Sequence, residues 1–312
     1  MDIGYYNGKL SPLNEMTVPL NDRAMYFGDG VYDATMCKNG KILDFEDHLA
    51  RFESSLKKLS IPMPCSLEKL SSELYRIAAL GEPDKWYMLY WSSTRAIAPR
   101  EHAFPANVPS NLIITLTEKP GMRSPKQTMK LITFEDRRFE YCDIKTLNLI
   151  PSCLAAQAAR EAGCEEAVFH RGNQVTECAH SNISILQDGT LRTAQTDAWI
   201  LPGIARKNLI RCAKAIGIPV REERFTLEEL FAADEIIVSS SRAQLTPATE
   251  INGISVGQKA PDLLEALARE STRSMESYMG FSIYEESARG CPITRAIPSP
   301  PARFLSKPGV IL

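Results

Sequence analysis

A short segment rich in proline, glycine and charge, KPGMRSPKQ at 119–127, divides a chain that otherwise alternates strand-like and helix-like runs. Clusters of proline and glycine mark loops between regular elements. The chain has 312 residues, more than one small hydrophobic core usually organises. The sequence therefore predicts two domains, residues 1–120 and 128–285, joined by a linker at 121–127.

The first domain is predicted to combine strands with helices. The run GVYDATMCKNGKILDFE (30–46) contains two β-rich stretches around Asn39-Gly40, a dipeptide that favours the type I′ turn of a β-hairpin. In EDHLARFESSLKKLSI (46–61), leucine and phenylalanine recur at helical spacing and form one apolar stripe. Further strands are predicted at 86–94 and 111–118.

The second domain is predicted to hold more strands and several helices. The segment YCDIKTLNLI (141–150) has the pattern of a buried strand, because it is largely apolar and contains no proline or glycine. A helix at 226–234 begins with a capping box, Thr226 with Glu229. The other predicted elements are strands at 129–135 and 235–241, hairpins at 166–177 and 182–194, and helices at 151–163, 203–217 and 262–279. Gly163 stands where a left-handed C-terminal cap of the first of these helices is expected.

The last segment, 286–312, differs from the rest of the chain. It is rich in proline and shows no hydrophobic periodicity, so it has little apolar surface to bury. We expect it to be disordered or loosely attached, and it resembles vector read-through more than a natural segment. It is left out of the fold prediction.

Composition and charge exclude several classes of function. The net charge of −2 and the pI near 6.2 leave no basic excess for a nucleic acid or an anionic membrane. No apolar run of about 18 residues predicts a transmembrane helix, and the N-terminal segment lacks the features of a signal peptide. The cysteines are scattered without a CxxC pair and histidines are few, so we expect reduced thiols in a cytoplasmic protein and no metal site.

Lys145 stands out because it lies in the middle of the predicted buried strand at 141–150. One interpretation is a solvated lysine on an edge strand, since lysines are seldom buried without a partner. The other is a lysine held in a dry pocket. Desolvation there favours the neutral amine, which can attack a carbonyl and form a Schiff base.

Candidate partners for such a lysine occur elsewhere in the chain. Gly203 and Ile204 open a predicted helix, where free backbone N–H groups attract anions, and Arg51 adds a cation. The hydroxyls of SSS (239–241) follow a predicted strand, and Glu177 offers a carboxylate between two strand-like runs. Each feature alone also has an ordinary explanation: a solvated helix residue, a turn glycine or a turn acid.

Several segments together resemble a known family. NDRAMYFGDGVYDA, HLARF, DIKTLNL, EAGCEEAVFHRGNQVTE, SNISIL, ILPGIARK and LTPATEING are similar, in this order and over about residues 1–280, to the fold-type IV pyridoxal-phosphate aminotransferases. The resemblance implies an α/β (α+β) fold of two domains, an N-terminal α/β sandwich and a C-terminal pseudo-barrel β domain with helices. It also implies a homodimer that binds pyridoxal 5′-phosphate.

The same resemblance implies roles for individual residues. Lys145 is then the Schiff-base lysine, and Glu177 the partner of the pyridine nitrogen, which makes the ring an electron sink. The other cofactor-binding positions that it implies are Arg51, Gly203, Ile204 and Ser241 at the phosphate, Leu201 against the ring, and His180, Ser181, Ala205 and Ser240 beside them.

Within the family, the stretch TRAIAPREHAFP (94–105) discriminates between activities. Arg100 and His102 are two residues apart, and with Tyr32 they resemble the α-carboxylate trap of D-amino acid aminotransferases. The resemblance implies a ping-pong exchange of amino groups between D-amino acids and 2-oxo acids, of the D-alanine:2-oxoglutarate type. Alternatives are an R-selective amine transaminase, a 4-amino-4-deoxychorismate lyase, or a pyridoxal-phosphate-binding protein with little activity.

The chain departs from the family pattern at a few positions. Cys178-Ala179-His180 stands where the family has glycine and two serines, and Ala205 stands where a threonine usually binds phosphate. Asp33 replaces a glutamate. These changes bear on the substrate range and on retention of the cofactor more than on the class of reaction.

Overall fold

The structure is a computed structural model that describes residues 2–284. The segment 286–312, predicted to be disordered, lies outside the described residues. The strands are β1 Ile3–Tyr6, β2 Lys9–Pro12, β3 Gly30–Lys38, β4 Lys41–Ile42, β5 Trp86–Thr94, β6 Asn111–Lys119, β7 Met129–Glu135, β8 Glu166–Arg171, β9 Gln174–Cys178, β10 Asn182–Gln187, β11 Thr190–Thr193, β12 Val220–Glu222, β13 Glu235–Ser239, β14 Thr246–Ile251 and β15 Ile254–Ser255. The helices are α1 Arg23–Phe27, α2 Phe45–Lys58, α3 Leu67–Ala78, α4 Ile150–Glu161, α5 Ile204–Ala215, α6 Leu227–Ala232 and α7 Pro261–Met279.

The first six strands form one antiparallel sheet in the order β2-β1-β6-β5-β3-β4. Helices α2 and α3 cover one face, where Phe52 and Leu74 pack with Leu89, Trp91 and Ile114 in a single apolar cluster. Because side chains alternate along β5, Met88 points to the opposite face and packs with residues of α7. The sheet is therefore buried on both faces over part of its area.

The remaining strands form a second, mixed sheet in the order β12-β11-β10-β13-β14-β7-β8-β9, with β15 paired to β14. Apolar side chains from β7 to β10, β13 and β14 share one inner cluster, which includes Leu131, Val175, Ile185 and Val238. Strands β9 and β10 meet in this core although four strands separate them in the order, because the sheet curls into a half-barrel. Helices α5 and α7 pack on its outer face, and α4 packs on β7 and β8.

This architecture confirms the predicted mixed α/β fold with a curled β unit in the second half of the chain. The segment 120–128 runs between the two sheets without regular structure. The domain boundaries at 120 and 128 stay predictions.

Local predictions that rest on turn and cap chemistry are confirmed. Asn39 and Gly40 have φ values of 53° and 71°, as a type I′ turn between β3 and β4 requires. Gly163, with φ 70°, follows α4 in the left-handed conformation. Thr226 accepts from the Glu229 amide at 3.2 Å while the Glu229 carboxylate accepts from the Thr226 amide at 2.8 Å, which completes the capping box of α6.

The predicted strand at 141–150 is wrong. The segment is irregular, and Ile144 alone in it is buried among the described residues. Turn hydrogen bonds close it on itself, from the Ile144 amide to the Tyr141 carbonyl and from the Thr146 amide to the Ile144 carbonyl. The apolar composition was misleading because this segment crosses from the second sheet to the first, where only a short part finds a strand to pair with.

Several elements were not predicted from the sequence, namely β1, β2, β12, β14, β15, α1 and α3. The N-terminal hairpin of β1 and β2 is too short to show a clear alternation, and α3 was passed over although Ser66 caps it by accepting from the Lys69 amide. Within residues 2–284, no helix combines the length and the apolar character needed to cross a bilayer.

The capping box gives a stability test. Replacing Thr226 by alanine removes the acceptor for the Glu229 amide, and loss of an N-cap of this kind costs about 1 kcal/mol. We expect the thermal unfolding midpoint to fall by about 2 °C. The matched control is Thr272→Ala inside α7, where the hydroxyl donates to the Ala268 carbonyl and alanine is a better helix former. A fall of the same size in both variants would contradict the capping contribution.

Candidate active site

A cleft between the two sheets collects most of the residues predicted to be functional. The predicted residues that line it are Tyr32, Arg51, Lys145, Glu177, His180, Ser181, Leu201, Gly203, Ile204, Ala205, Ser240 and Ser241.

Lys145 is held at the cleft by the first sheet, although it follows the second sheet's β7 in the chain. Its carbonyl accepts from the Tyr32 amide at 2.9 Å, and its amide donates to Ser55 Oγ at 3.3 Å. Its Nζ lies 4.3 Å from the centre of the Tyr32 ring. The main chain on both sides of the lysine is thus fixed, and the amine projects into the cleft against an aromatic face.

Glu177 ends β9 as a buried carboxylate with a full set of partners. The Arg138 guanidinium contacts its Oε1, while Asn182 Nδ2 and the Leu201 amide donate to its Oε2 at 2.9 and 3.0 Å. Burial raises the pKa of Glu177 even against the Arg138 charge. The carboxyl is fixed in orientation and holds a proton more readily than an exposed glutamate does.

Arg51 projects from α2 and is clamped by Asp33 of β3. Its Nε and one terminal nitrogen donate to the Asp33 carboxylate at 2.9 and 2.7 Å, and its other terminal nitrogen donates to the Pro202 carbonyl at 3.3 Å. His48 Nδ1 lies 2.7 Å from the same carboxylate. Burial alone would raise the pKa of Asp33, but Arg51 and His48 outweigh burial and hold it well below its usual range.

The N-terminus of α5 faces the cleft beside Arg51. Gly203 is its N-cap residue, and no side chain of residues 2–284 caps the helix, so its first N–H groups are available to an anion. A Cβ on Gly203 would lie 1.9 Å from Asn182 Oδ1. Glycine at this position therefore permits the close approach of Asn182, which in turn positions Glu177.

Hydroxyl groups after β13 complete this end of the cleft. Ser241 Oγ donates to the Ala34 carbonyl at 3.1 Å, and Ser240 is tied by its amide to Ala243. Ser239 also lines the cleft, and its buried hydroxyl has no hydrogen-bond partner in the described part of the chain. A buried polar atom without a partner at a cleft wall is a candidate ligand contact.

His180 lies in the turn between β9 and β10. Its Nδ1 is 2.8 Å from Glu166 Oε2, which also accepts from Ser181 Oγ at 2.7 Å. The Glu166 carboxylate is fully buried, whereas the His180 side chain is 62% exposed. Burial of its inner edge opposes the charged imidazole, but the hydrogen bond and charge of Glu166 outweigh this and raise the pKa of His180.

Arg100 and His102 are not among the residues that line the cleft of their own chain. Both are exposed in the loop between β5 and β6, and both contact the ring of Phe27, with distances of 5.5 Å from the guanidinium carbon and 5.2 Å between ring centres. Arg23 holds the loop by donating to its backbone carbonyls. The two residues thus converge, but outside the cleft.

Several residues of the site were not identified from the sequence. Arg138 stands in the pair Arg137-Arg138, and nothing in the local pattern says which of the two turns inward. Glu166 similarly follows Glu165, although its place at the head of an apolar strand was a usable signal of burial. Asn182 carried no signal, because small polar residues at strand ends are common, and Ser239 was indicated only as part of the run SSS (239–241).

Within residues 2–284, no three His, Cys, Asp or Glu side chains come together as a metal-binding group. The chemistry that the cleft offers is instead an amine, a buried carboxyl and an anion-binding helix end, in one space.

Comparison with known proteins identifies relatives over most of the chain. Residues 30–251 match the model of the family described as amino-transferase class IV. A D-alanine aminotransferase of Listeria monocytogenes is 39% identical over 261 residues, which cover 82% of this chain and 90% of the relative. A D-alanine aminotransferase of Staphylococcus haemolyticus is 33% identical over 285 residues, covering 91% of this chain and 98% of the relative.

Solved structures show the same fold at lower sequence identity. The branched-chain amino acid aminotransferase of Escherichia coli superposes with a TM-score of 0.78 at 23% identity, over 92% of this chain and 97% of that one. The branched-chain aminotransferase of Thermoproteus uzoniensis has a TM-score of 0.76 at 24% identity, over 89% and 97% of the two chains. These likenesses establish the fold and leave the substrate open.

The buried pair of Asp33 and Arg51 predicts a pH-dependent loss of stability. Asp33→Asn leaves the guanidinium buried without its counter-charge, which costs about 3–5 kcal/mol, so the unfolding midpoint should fall by several degrees at pH 7. Because the folded-state pKa of Asp33 is depressed, its stabilisation is present above the unfolded value of about 3.9 and is lost as the pH falls through the lower folded value. The difference in unfolding midpoint between Asp33→Asn and the parent should therefore narrow only below about pH 4.

The control for this test is Asp47→Asn, which removes a half-buried carboxylate paired with the exposed Lys207 at 2.7 Å. A surface pair of this kind contributes less than about 1 kcal/mol. Equal shifts in the two variants, or a difference that does not depend on pH, would count against the clamp at Arg51.

Proposed function

The chain belongs to the amino-transferase class IV family, and we propose that it exchanges amino groups between D-amino acids and 2-oxo acids, as a D-alanine:2-oxoglutarate aminotransferase does. The observation that carries the proposal is one cleft in which the Lys145 amine, the buried Glu177 carboxyl and the anion-binding start of α5 face each other. Relatives named D-alanine aminotransferases, at 30–39% identity over most of their length, support the D-amino acid assignment.

Three features of the cleft support pyridoxal 5′-phosphate as the cofactor. The first N–H groups of α5, the Arg51 guanidinium and the hydroxyls of Ser240 and Ser241 suit a phosphate. The buried Glu177 suits a ring nitrogen, with Leu201 beside it. The amine of Lys145 suits an aldehyde.

In the proposed phosphate site, Ser239 compensates for the missing hydroxyl at Ala205. Ala205 offers no hydroxyl at the phosphate end, and a missing hydrogen bond of this type is worth about 1 kcal/mol. The unpartnered buried hydroxyl of Ser239 lies in the same wall and can donate in its place.

The residues of the cleft divide the work of transamination. When bound, pyridoxal phosphate supplies an aldehyde and a ring that accepts the electrons released at the substrate's α-carbon. Lys145 Nζ takes the α-proton as general base and later returns it as general acid. The Glu177 carboxylate would keep a proton on the ring nitrogen of the bound cofactor, and Arg138 and Asn182 hold that carboxylate in place. Tyr32 covers the lysine and keeps water from its exposed side.

We further propose that Arg100 and His102 bind the substrate α-carboxylate in the cleft of a second subunit. They are exposed and contact Phe27 of α1, whose apolar neighbours Met25 and Tyr26 are exposed as well. Exposed apolar patches of this kind mark interfaces. Tyr32, inside the cleft of its own chain, would supply a third contact.

Such a trap explains a preference for one enantiomer. Lys145 lies on one side of the cleft and moves the α-proton there, and the trap fixes the α-carboxylate at another position. The side chain must then take the remaining direction, so an exchange of carboxylate and side-chain positions would invert the accepted hand.

Location in the cytoplasm, expected from the scattered cysteines, stays a prediction.

The alternative activities differ in their substrates. An R-selective amine transaminase would not need an α-carboxylate trap, and a 4-amino-4-deoxychorismate lyase would not need a 2-oxo acid acceptor. The D-alanine aminotransferase relatives favour neither. Formation of pyruvate from D-alanine and 2-oxoglutarate, without formation from L-alanine, tests the proposed activity directly.

Lys145→Ala should reduce this turnover by at least about 10³-fold, because the variant lacks both the general base and the amine that attaches the cofactor. The visible absorbance of the lysine-bound cofactor should disappear, as should the borohydride-trapped adduct on the peptide that carries residue 145. The control is Lys69→Ala, an exposed lysine on α3. Near-normal transamination by the Lys145 variant would refute the role given to this lysine.

Mixing two inactive variants tests the shared site. In a dimer whose loop reaches the other subunit's cleft, Lys145→Ala and Arg100→Ala chains complement each other at one of the two sites. Random pairing by two-fold symmetry then restores about a quarter of the parent's sites. Co-expressed chains with different affinity tags allow the mixed dimer to be isolated and assayed. If the mixed dimer is no more active than either parent variant, the loop does not act between subunits.

A further inference from the structure

We infer that His180, oriented by the buried Glu166, forms a second carboxylate-binding point at the mouth of the cleft, which receives the side-chain carboxylate of dicarboxylic substrates. This inference rests on the proposed transaminase function and names a substrate class for it: D-amino acids and 2-oxo acids that carry a second carboxylate. It concerns a position at which this chain departs from the family pattern.

The position of His180 is fixed by its backbone. The Cys178 amide donates to the Ser181 carbonyl at 2.7 Å, which closes a tight turn, and the Ala179 amide donates to the Ala167 carbonyl of β8 at 2.9 Å. The residue lies three positions after Glu177, so the same turn connects the ring-binding carboxyl with the imidazole. The backbone therefore places His180 in the wall of the cleft, with much of its side chain facing solvent.

The orientation of the imidazole is fixed by Glu166. This carboxylate is fully buried and accepts three hydrogen bonds, from the Ala167 amide at 2.9 Å, from Ser181 Oγ at 2.7 Å and from His180 Nδ1 at 2.8 Å. With Nδ1 committed to the carboxylate, Nε2 is left on the exposed edge of a side chain that lines the cleft. A charged imidazole donates a hydrogen bond from that atom.

The other charges of the cleft leave this donor for a ligand. Glu177 is paired with Arg138, and Asp33 is paired with Arg51, so both carboxylates nearby are already engaged. Lys145 adds positive charge close enough to disfavour the His180 cation, and Glu166 more than offsets it. The mouth of the cleft therefore presents positive charge to which an incoming carboxylate is attracted.

The role proposed for His180 follows from assigning the two carboxylates of a dicarboxylic substrate to different residues. The α-carboxylate is assigned above to Arg100 and His102, which do not line this cleft in the described chain. A dicarboxylic substrate brings a second anionic group into the same space, and the His180 imidazole, held by Glu166, is placed to meet it. Monocarboxylic substrates such as D-alanine and pyruvate gain nothing from it, which makes the residue a determinant of specificity.

Binding of unreactive acids to the cofactor-loaded protein tests the inference without turnover. Dissociation constants for glutarate and for butyrate are measured by calorimetry in the parent and in His180→Ala. One charge-assisted hydrogen bond corresponds to an expected loss of about 10- to 100-fold in glutarate affinity. Butyrate affinity should change by less than about twofold, because it has no second carboxylate.

Steady-state kinetics give an independent measure. In His180→Ala, kcat/KM for 2-oxoglutarate should fall by a similar factor relative to kcat/KM for pyruvate as the acceptor, because pyruvate carries no second carboxylate. The matched control is His170→Ala, on β8 near Glu166, whose Nδ1 contacts the Gly172 carbonyl and which does not line the cleft. His180→Gln, which keeps a neutral donor, should lie between the alanine variant and the parent.

The outcomes separate the two proposals. Equal weakening of glutarate and butyrate, or no weakening of either, overturns the role of His180. Selective loss of glutarate binding supports it even if D-alanine is not a substrate, in which case the proposed function fails by itself. His180→Gln separates loss of the hydrogen bond from loss of the fold, because an alanine variant that failed to fold would not report on glutarate recognition.

Discussion

The site depends on a short main-chain contact between the two halves of the chain. The edge of β3 near its start is free of β4, which pairs only with Cys37 and Lys38, and the irregular segment before α4 takes that edge. The Tyr32 amide donates to the Lys145 carbonyl, and the Leu147 amide donates to the Gly30 carbonyl at 3.1 Å. A lysine that lies between β7 and β8 of the second sheet in the chain is thereby fixed against the first sheet, and the cleft exists because the two sheets meet there.

Buried carboxylates organise the rest of the cleft. Asp33 holds Arg51, Glu177 is held by Arg138, and Glu166 holds the His180 ring. A carboxylate removed from water is costly unless a cation or several donors compensate it, so each pair is fixed in geometry. The carboxylates in the walls of the cleft are therefore already paired, and Lys145 and the outer edge of His180 are left to face a ligand.

The sequence predicted much of the fold and of the candidate site, with failures that have a common cause. Hairpins and helices were identified where a dipeptide such as Asn39-Gly40, a capping box or an apolar stripe acts within a few residues. The segment 141–150 was assigned to a strand because composition reports how apolar a segment is and not what lies beside it. Arg138 was missed for the same reason, since its partner Glu177 is 39 positions away.

The sequence by itself determined the local structure and the kinds of chemistry available. Turn dihedral angles, helix caps and the presence of a lysine, a glutamate and a glycine-led helix start depend on residues close together in the chain. Only the tertiary structure decided which groups meet: that Lys145 contacts Tyr32, that His180 is held by Glu166, and that Arg100 lies outside the cleft of its own chain. These contacts depend on how the two sheets, each stabilised by its own core, pack against each other. The groups that meet are far apart in the chain, so the conformation of neighbouring residues does not determine which of them come into contact.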